Sequence, residues 1–211
     1  MRLSPWGRVV AVSAVLVVGA AAVLAAGALA SRHERLVSYP VSGALEGVSF
    51  DLDGGSLEIV AGPHMTVQRD ERYSFGHDAR TTRTVSGGVV RLVSRCPSVL
   101  PHACSVHYRV VVPDNVPVEV RTGSGTVTFS GYRGSARVST RSGAIDIAGF
   151  CGFSLQARSV SGRIAVGAAC PPQQLSLRST SGSIEAVVPA GRYQVDATSA
   201  SGRRTVHGVD A

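Results

Sequence analysis

The chain has 211 residues, a formal net charge of +7 at pH 7, and 44% hydrophobic but only 5% aromatic residues. That length holds one domain with a short targeting segment, or two small domains. All 21 basic residues are arginine, and they form no dense cluster interleaved with aromatics, which argues against a nucleic-acid binder.

Residues 9–29 are almost wholly Ala, Val, Leu and Gly, without a charge. About 20 apolar residues cross a bilayer as a helix. Arg2 and Arg8 precede the stretch, so the amino end is expected to stay in the cytoplasm and the rest to be exported. This reading makes the protein a single-pass membrane protein with its C-terminal domain outside. The alternative is a cleaved signal peptide: Ala28-Leu29-Ala30 has the small-x-small form of a cleavage site, and Ser31 follows. Either way the remaining chain carries 19 Arg against 14 Asp and Glu, a balance of +5.

Residues 31–45 read as a linker, and 46–117 as irregular strands. Val48-Ser49-Phe50-Asp51-Leu52 alternates, Gly54-Gly55 turns, and Leu57-Glu58-Ile59-Val60 follows. The stretch from Arg69 to Thr84 is polar, a loop or an edge element. Val85 to Val93 returns to the strand pattern, and Tyr108-Arg109-Val110-Val111-Val112-Pro113 leads into a more regular region.

That region, 118–206, is a repeat. Ser-Gly recurs at Ser124-Gly125, Ser142-Gly143, Ser161-Gly162, Ser181-Gly182 and Ser201-Gly202, with glycine spacings of 18, 19, 20 and 20. Seven residues before each glycine stand Val118, Ala136, Leu155, Leu175 and Val195; five before stand Val120, Val138, Ala157, Leu177 and Ala197. The residue between is polar in all five repeats. Two and four residues after the glycine, Val127, Ile145, Ile164 and Ile184 precede Phe129, Ile147, Val166 and Ala186. Period-two alternation marks a strand with one buried face. Each unit therefore predicts strand, Ser-Gly corner, strand, turn. Such a unit cannot bury its apolar face alone, and stacking makes a continuous core. The predicted fold is an all-β solenoid, or β-helix, of rungs about 20 residues long. The corner glycines are expected to supply backbone angles that a Cβ forbids.

The four cysteines of an exported chain predict two disulfides rather than metal ligands. Cys151 and Cys170 each lie eight residues after a corner glycine. Equivalent positions on adjacent rungs are about 4.8 Å apart, within disulfide range. That predicts Cys151–Cys170, and by exclusion Cys96–Cys104.

These residues resemble the bacterial "putative adhesin" domain of unknown function, found in exported and membrane-anchored proteins. The serial Ser-Gly rungs carry the resemblance, with the Val111-Val112-Pro113-Asp114 lead-in, the Val188-Pro189-Ala190-Gly191-Arg192-Tyr193 step and the Cys96-Pro97…Cys104 loop. It spans residues 45–206 and implies a fold more than a function. Family rungs often place Asp directly after Ser-Gly. Here those positions hold Thr126, Ala144, Arg163, Ser183 and Arg203, so no acidic or cation-binding ladder carries over to the corner. The degenerate last rung, Arg203-Arg204-Thr205-Val206, reads as a charged cap against end-to-end sheet growth.

No catalytic set is expected. The corner serines lack an in-phase His or Asp and a G-x-S-x-G elbow. They and the hydroxyls three residues before the glycines (Thr122, Thr140, Ser159, Ser179, Ser199) read as buried bridges between rungs. The six histidines show no metal-ligand spacing, so no metal or cofactor is expected. Asp146 and Glu185 stand two rungs apart with Ala165 between, which argues against an acid/base dyad.

One outward stripe stands out. Arg121, Arg158 and Arg178 each lie four residues before a corner glycine, with Arg141 and Arg163 near the same edge. Stacked like charges imply solvent screening, acidic neighbours such as Glu119, Asp146, Glu185 and Asp196, or an anionic partner. The expected function is a non-catalytic, adhesin-like module outside the membrane that binds an anionic envelope polymer or a protein. The alternatives are a polysaccharide-active β-helix enzyme, and an envelope-stress sensor subunit. Eight residues before the apolar segment are too few for a signalling domain, so a sensor would need a membrane partner.

Overall fold

A computed structural model describes residues 13–14, 17–23, 27, 33–73, 78–97, 104–191 and 194–209. Most of the expected membrane span, 9–29, lies outside the described residues. Residues 17–23 are helical with exposed side chains, and among the described residues no helix is long and apolar enough to cross a membrane.

The period-two segments become strands. The regular region holds β8 (Val118–Thr122), β9 (Val127–Ser130), β10 (Ala136–Thr140), β11 (Ile145–Phe150), β12 (Ser154–Ser159), β13 (Ile164–Ala168), β14 (Gln174–Ser179), β15 (Ile184–Gly191), β16 (Gln194–Ser199) and β17 (Arg204–Val209). Even-numbered strands of this region lie in one sheet and odd-numbered strands in the other. Each rung runs along one sheet, turns at Ser-Gly, and returns along the opposite sheet. Neighbouring strands in each sheet are therefore parallel without a helical crossover, the usual connection between parallel strands.

The inward residues of both sheets form one core. Leu155, Ile164, Leu177, Ile145, Phe129 and Val120 are all fully buried. Tyr132 closes the core at the edge opposite the Ser-Gly corner. It packs between Phe129 and Phe150, and its hydroxyl donates to the Val116 carbonyl. Burial, and then the charge of Asp114, push its phenol well above the ordinary tyrosine range.

The corner differs from expectation. Gly125 does have a positive φ of 104°, but Gly143, Gly162, Gly182 and Gly202 do not. What excludes a side chain is the rung below. A Cβ would fall 1.6 Å from the Gly125 carbonyl oxygen at Gly143, 1.8 Å from that of Gly143 at Gly162, and 2.0 Å from that of Gly162 at Gly182. Gly55 extends the column, since Gly125 stacks on its carbonyl in the same way. The glycines permit close stacking first, and a special backbone angle at only part of the column.

The hydroxyls divide into two classes. Thr140, Ser159, Ser179 and Ser199 accept from the N–H of their own corner glycine at 2.7–2.9 Å. They cap a corner within one rung, where bridges between rungs were expected; Ser199 alone also donates across, to the Gly182 carbonyl. The corner serines are exposed instead of buried, and Ser161 and Ser181 donate to carbonyls of the preceding rung at 3.3 and 3.2 Å.

The first part of the chain is more elaborate than irregular rungs. It holds β1 (His33–Pro40), β2 (Gly47–Leu52), β3 (Ser56–Ala61), β4 (Thr66–Tyr73), β5 (Arg80–Ser86), β6 (Val89–Arg95) and β7 (Cys104–Val112). Residues 33–40, expected in a linker, are a strand paired antiparallel to β4. The rung β2–β3 is inserted between β6–β7 and β8–β9, so spatial order departs from chain order. The polar stretch 69–84 lies mostly in β4 and β5, which pair antiparallel to β7 and β6 at this end; β5 is the edge of its sheet, and β1 covers β4 as the edge of the other. Within β4, Arg69 and the buried Glu71 approach to 3.1 Å, a charge contact without hydrogen-bond alignment.

At the other end β16 and β17 continue both sheets as an ordinary parallel rung. Val195, Ala197 and Val206 are only partly buried there, since among the described residues no further rung covers them. Two disulfides staple the coil: Cys151–Cys170 with Cα atoms 4.6 Å apart, and Cys96–Cys104 at 5.7 Å.

Candidate functional site

The parallel register sets the outward residues of the even-numbered sheet in rows. One row runs Asp51, Arg121, Ser139, Arg158, Arg178, Thr198; the next runs Ser49, Glu119, Arg137, Gln156, Ser176, Asp196. Neighbours within a row are about one strand spacing, 4.8 Å, apart. Arg158 and Arg178 are thus adjacent, and Arg121 lies across Ser139 from them.

These side chains surround a shallow concavity of about 450 Å³, lined by Arg121, Arg137, Arg158 and Arg178 above a floor that includes Ser139 and Ser176. A neighbouring hollow of about 360 Å³ shares Glu119, Arg137 and Gln156 with it and prolongs it across the sheet. The first hollow spans the four strands β8, β10, β12 and β14, and the second carries the trough on over β2.

Charge is unevenly compensated. Arg121 bonds Glu119 at 2.8 Å, and Arg178 bonds Asp196 at 2.6 Å. Arg137 leans on a neutral group, its Nε donating to the Gln156 side-chain oxygen at 3.2 Å. Arg158, exposed between Arg121 and Arg178, has no ion pair or side-chain hydrogen bond among the described residues. Four guanidiniums therefore face two carboxylates, and one guanidinium has all its donors open to solvent. A guanidinium offers five N–H groups in a fork suited to phosphate, sulfate or carboxylate.

Next to the trough, Asp51 lies opposite Arg121 in register and is held by Arg95 at 2.9 Å and Arg91 at 3.6 Å. The Arg95 hydrogen bond holds the Asp51 carboxyl below the usual carboxylate range, against a smaller effect of burial.

Arg121, Arg158 and Arg178 were singled out by their spacing, and the fold places all three on the trough. Arg141 and Arg163 do not line it, and Arg163 instead bonds Asp146 at 2.8 Å. Arg137 was overlooked. It lies six residues before its corner glycine rather than four, but period two puts both positions on one outward face.

The opposite sheet has its own hollow, of about 540 Å³, with Asp146 and Glu185 on its walls. The two align with Ala165 between them, a separation of about 9.6 Å at two strand spacings. Asp146 is tied to Arg163, and the lining of the hollow adds a hydroxyl, Thr128, but no Ser, Cys, His or further carboxylate. Among the described residues no three His, Cys, Asp or Glu groups converge as a metal site.

Residues 108–208 match the Toastrack DUF4097 family, which covers the regular rungs and the strand leading into them. A crystal structure described as a putative cell adhesion protein from Clostridium sporogenes aligns over 82% of this chain and 99% of its own, with 13% identity and a TM-score of 0.52. That likeness shows a shared fold. A second structure, described as a putative adhesin from Bacteroides fragilis, aligns over 82% of this chain and 96% of its own, with 11% identity and a TM-score of 0.27. The chain matches no curated protein.

Proposed function

We propose that this chain, whose residues 108–208 match the Toastrack DUF4097 family, is a non-catalytic, adhesin-like module that holds an anionic polymer of the cell envelope against its arginine trough. The observation that carries the reading is Arg158: an exposed, uncompensated guanidinium flanked by Arg121 and Arg178 on one rigid sheet.

The backbone of the trough is parallel strand throughout, so its cations stand at fixed intervals before any ligand arrives. Pre-positioned groups lose less entropy on binding. A polymer with repeated phosphate, sulfate or carboxylate groups meets several of them at once. An isolated anion meets one, and exposed single pairs in water contribute at most about 1 kcal/mol. Repetition along the polymer is what makes such contacts add. The reading places the rungs outside the membrane, held by residues 9–29 as an anchor, and the two disulfides suit an oxidising compartment.

The direct test is retention of the protein on immobilised polyphosphate at low ionic strength. Wild type is expected to be retained and released by salt. Replacing Arg121, Arg158 and Arg178 together with Gln should abolish retention, and unchanged retention would refute the trough as the binding surface.

A further inference from the structure

The turns opposite the Ser-Gly corner carry a second constellation. Asp114 and Asn115 lie on one turn, Arg133 on the next and Phe153 on the third, stacked in that order; the Asn115 N–H bonds the Arg133 carbonyl at 3.0 Å. Together with Gly134, Ser135, Cys151 and Gly152 they line a hollow of about 410 Å³, distinct from the arginine trough.

Phe153 is the one aromatic side chain that is exposed among the described residues, at 60%. A lone exposed apolar residue needs no explanation, but its neighbours here do. Asp114 and Arg133 line the same hollow, both exposed, yet neither has an ion pair or side-chain hydrogen bond among the described residues. Asn115 holds a left-handed φ of 65° without being glycine, a conformation that costs free energy. Gly152, the residue before Phe153, stacks on the Gly134 carbonyl of the preceding rung, where a Cβ would fall 2.0 Å from the oxygen, so two glycines keep this part of the hollow open.

The platform is rigid. Cys151, two residues before Phe153, is joined to the next rung by its disulfide with Cys170. The Phe153 carbonyl accepts from Gln173 and Gln174 of that rung at 3.1 and 3.3 Å, and Tyr132 fills the space beneath the edge.

We infer that this edge is a saccharide-binding site. A pyranose has an apolar C–H face and a rim of hydroxyls. The electron-rich face of Phe153 suits polarised C–H groups, while an open carboxylate, amide and guanidinium supply acceptors and donors for the rim. Asp114 and Phe153 are two turns apart, about 9.6 Å at strand spacing, which spans one to two sugar rings. A protein partner is the poorer fit, because a stable protein interface buries a much larger surface around several apolar anchors.

The test is saturation-transfer NMR on the full chain with three neutral probes, tetra-N-acetylchitotetraose, cellotetraose and maltotetraose. At least one is expected to bind in the millimolar range, with transfer strongest at its ring C–H protons. Phe153→Ala should weaken that binding at least about tenfold, Asp114→Asn and Arg133→Gln should weaken it less, and Phe153→Tyr should retain it. Arg158→Gln should leave it unchanged, which separates this site from the polyanion trough. The inference is overturned if none of the probes binds at about 10 mM, or if Phe153→Ala, with the Cys151–Cys170 link intact, binds as wild type does.

Discussion

Arg158 and Arg178 are direct partners on adjacent parallel strands, yet only Arg178 is held by a carboxylate, Asp196 at 2.6 Å. That asymmetry gives substitutions of opposite sign. Arg158→Gln should weaken polyphosphate binding by about tenfold at low salt, the scale of one charge-assisted hydrogen bond. It should also reduce the slope of log affinity against log salt by about one. Asp196→Asn should tighten binding, because it frees Arg178 and removes a repelling charge. Titrations at several salt concentrations measure both effects, and neither change should disturb folding much at an exposed pair.

The glycine column makes a paired prediction. Gly162→Ala places a Cβ 1.8 Å from the Gly143 carbonyl oxygen, a backbone atom that cannot rotate away. It should cost more than about 4 kcal/mol or prevent accumulation of folded protein. Gly167→Ala meets nothing closer than the Ile147 carbonyl at 3.8 Å. There the change should be neutral or stabilising by up to about 1 kcal/mol, because the unfolded chain loses freedom. Denaturant titration distinguishes the two.

The serine columns differ in the same way. Ser159 is buried and accepts from the Gly162 N–H at 2.7 Å. Ser159→Ala strands that donor and should cost about 1–3 kcal/mol. Ser161 is exposed, and water replaces its 3.3 Å bond to Arg141, so Ser161→Ala should cost less than about 0.5 kcal/mol.

The Cys151–Cys170 link closes a loop with a sequence separation of 19. Replacing both cysteines with serine should lower stability by about 3 kcal/mol, the loop-closure entropy regained by the unfolded chain. A fall in the unfolding midpoint under non-reducing conditions, reproduced in wild type by a reductant that opens this bond, is the expected result.

Asp51 sets part of the acid limit. Its carboxyl, hydrogen-bonded to Arg95, ionises below its ordinary value in the folded chain. The associated stability is therefore fully present above the ordinary carboxylate pKa, and is lost as pH falls through the depressed one. Asp51→Asn should flatten the stability profile in that acid window, below about pH 4, and leave the relative profile near neutrality unchanged.

The regular rungs were legible because their information is local. Apolar residues five and seven positions before each glycine recur at one spacing, and the two cysteines fall at one offset. Both follow from parallel stacking at a fixed register. The first strands were not legible in the same way. Nothing local tells that β2–β3 inserts between β6–β7 and β8–β9, because that order is decided by pairing between distant segments. The strand at 33–40 was read as a linker because its alternation is weak: most of its side chains are exposed at the sheet edge. At the corner the sequence pointed to glycine, but only the stacked carbonyls show why. Within the site, the arginine stripe could be read from spacing alone. The lack of a partner at Arg158, and the role of Arg137, depend on which side chains meet across the sheet.

The most direct test of the trough is a backbone-amide NMR titration of the folded chain with polyphosphate. Shifts should concentrate at Ser139, Gln156, Arg158 and Ser176 and saturate together, and Arg158→Gln should move their common midpoint to about tenfold higher polyphosphate. Shifts scattered over other arginines such as Arg109 and Arg204, or no saturation, would show that the protein meets polyanions only through its net charge, and the trough would lose its assigned role.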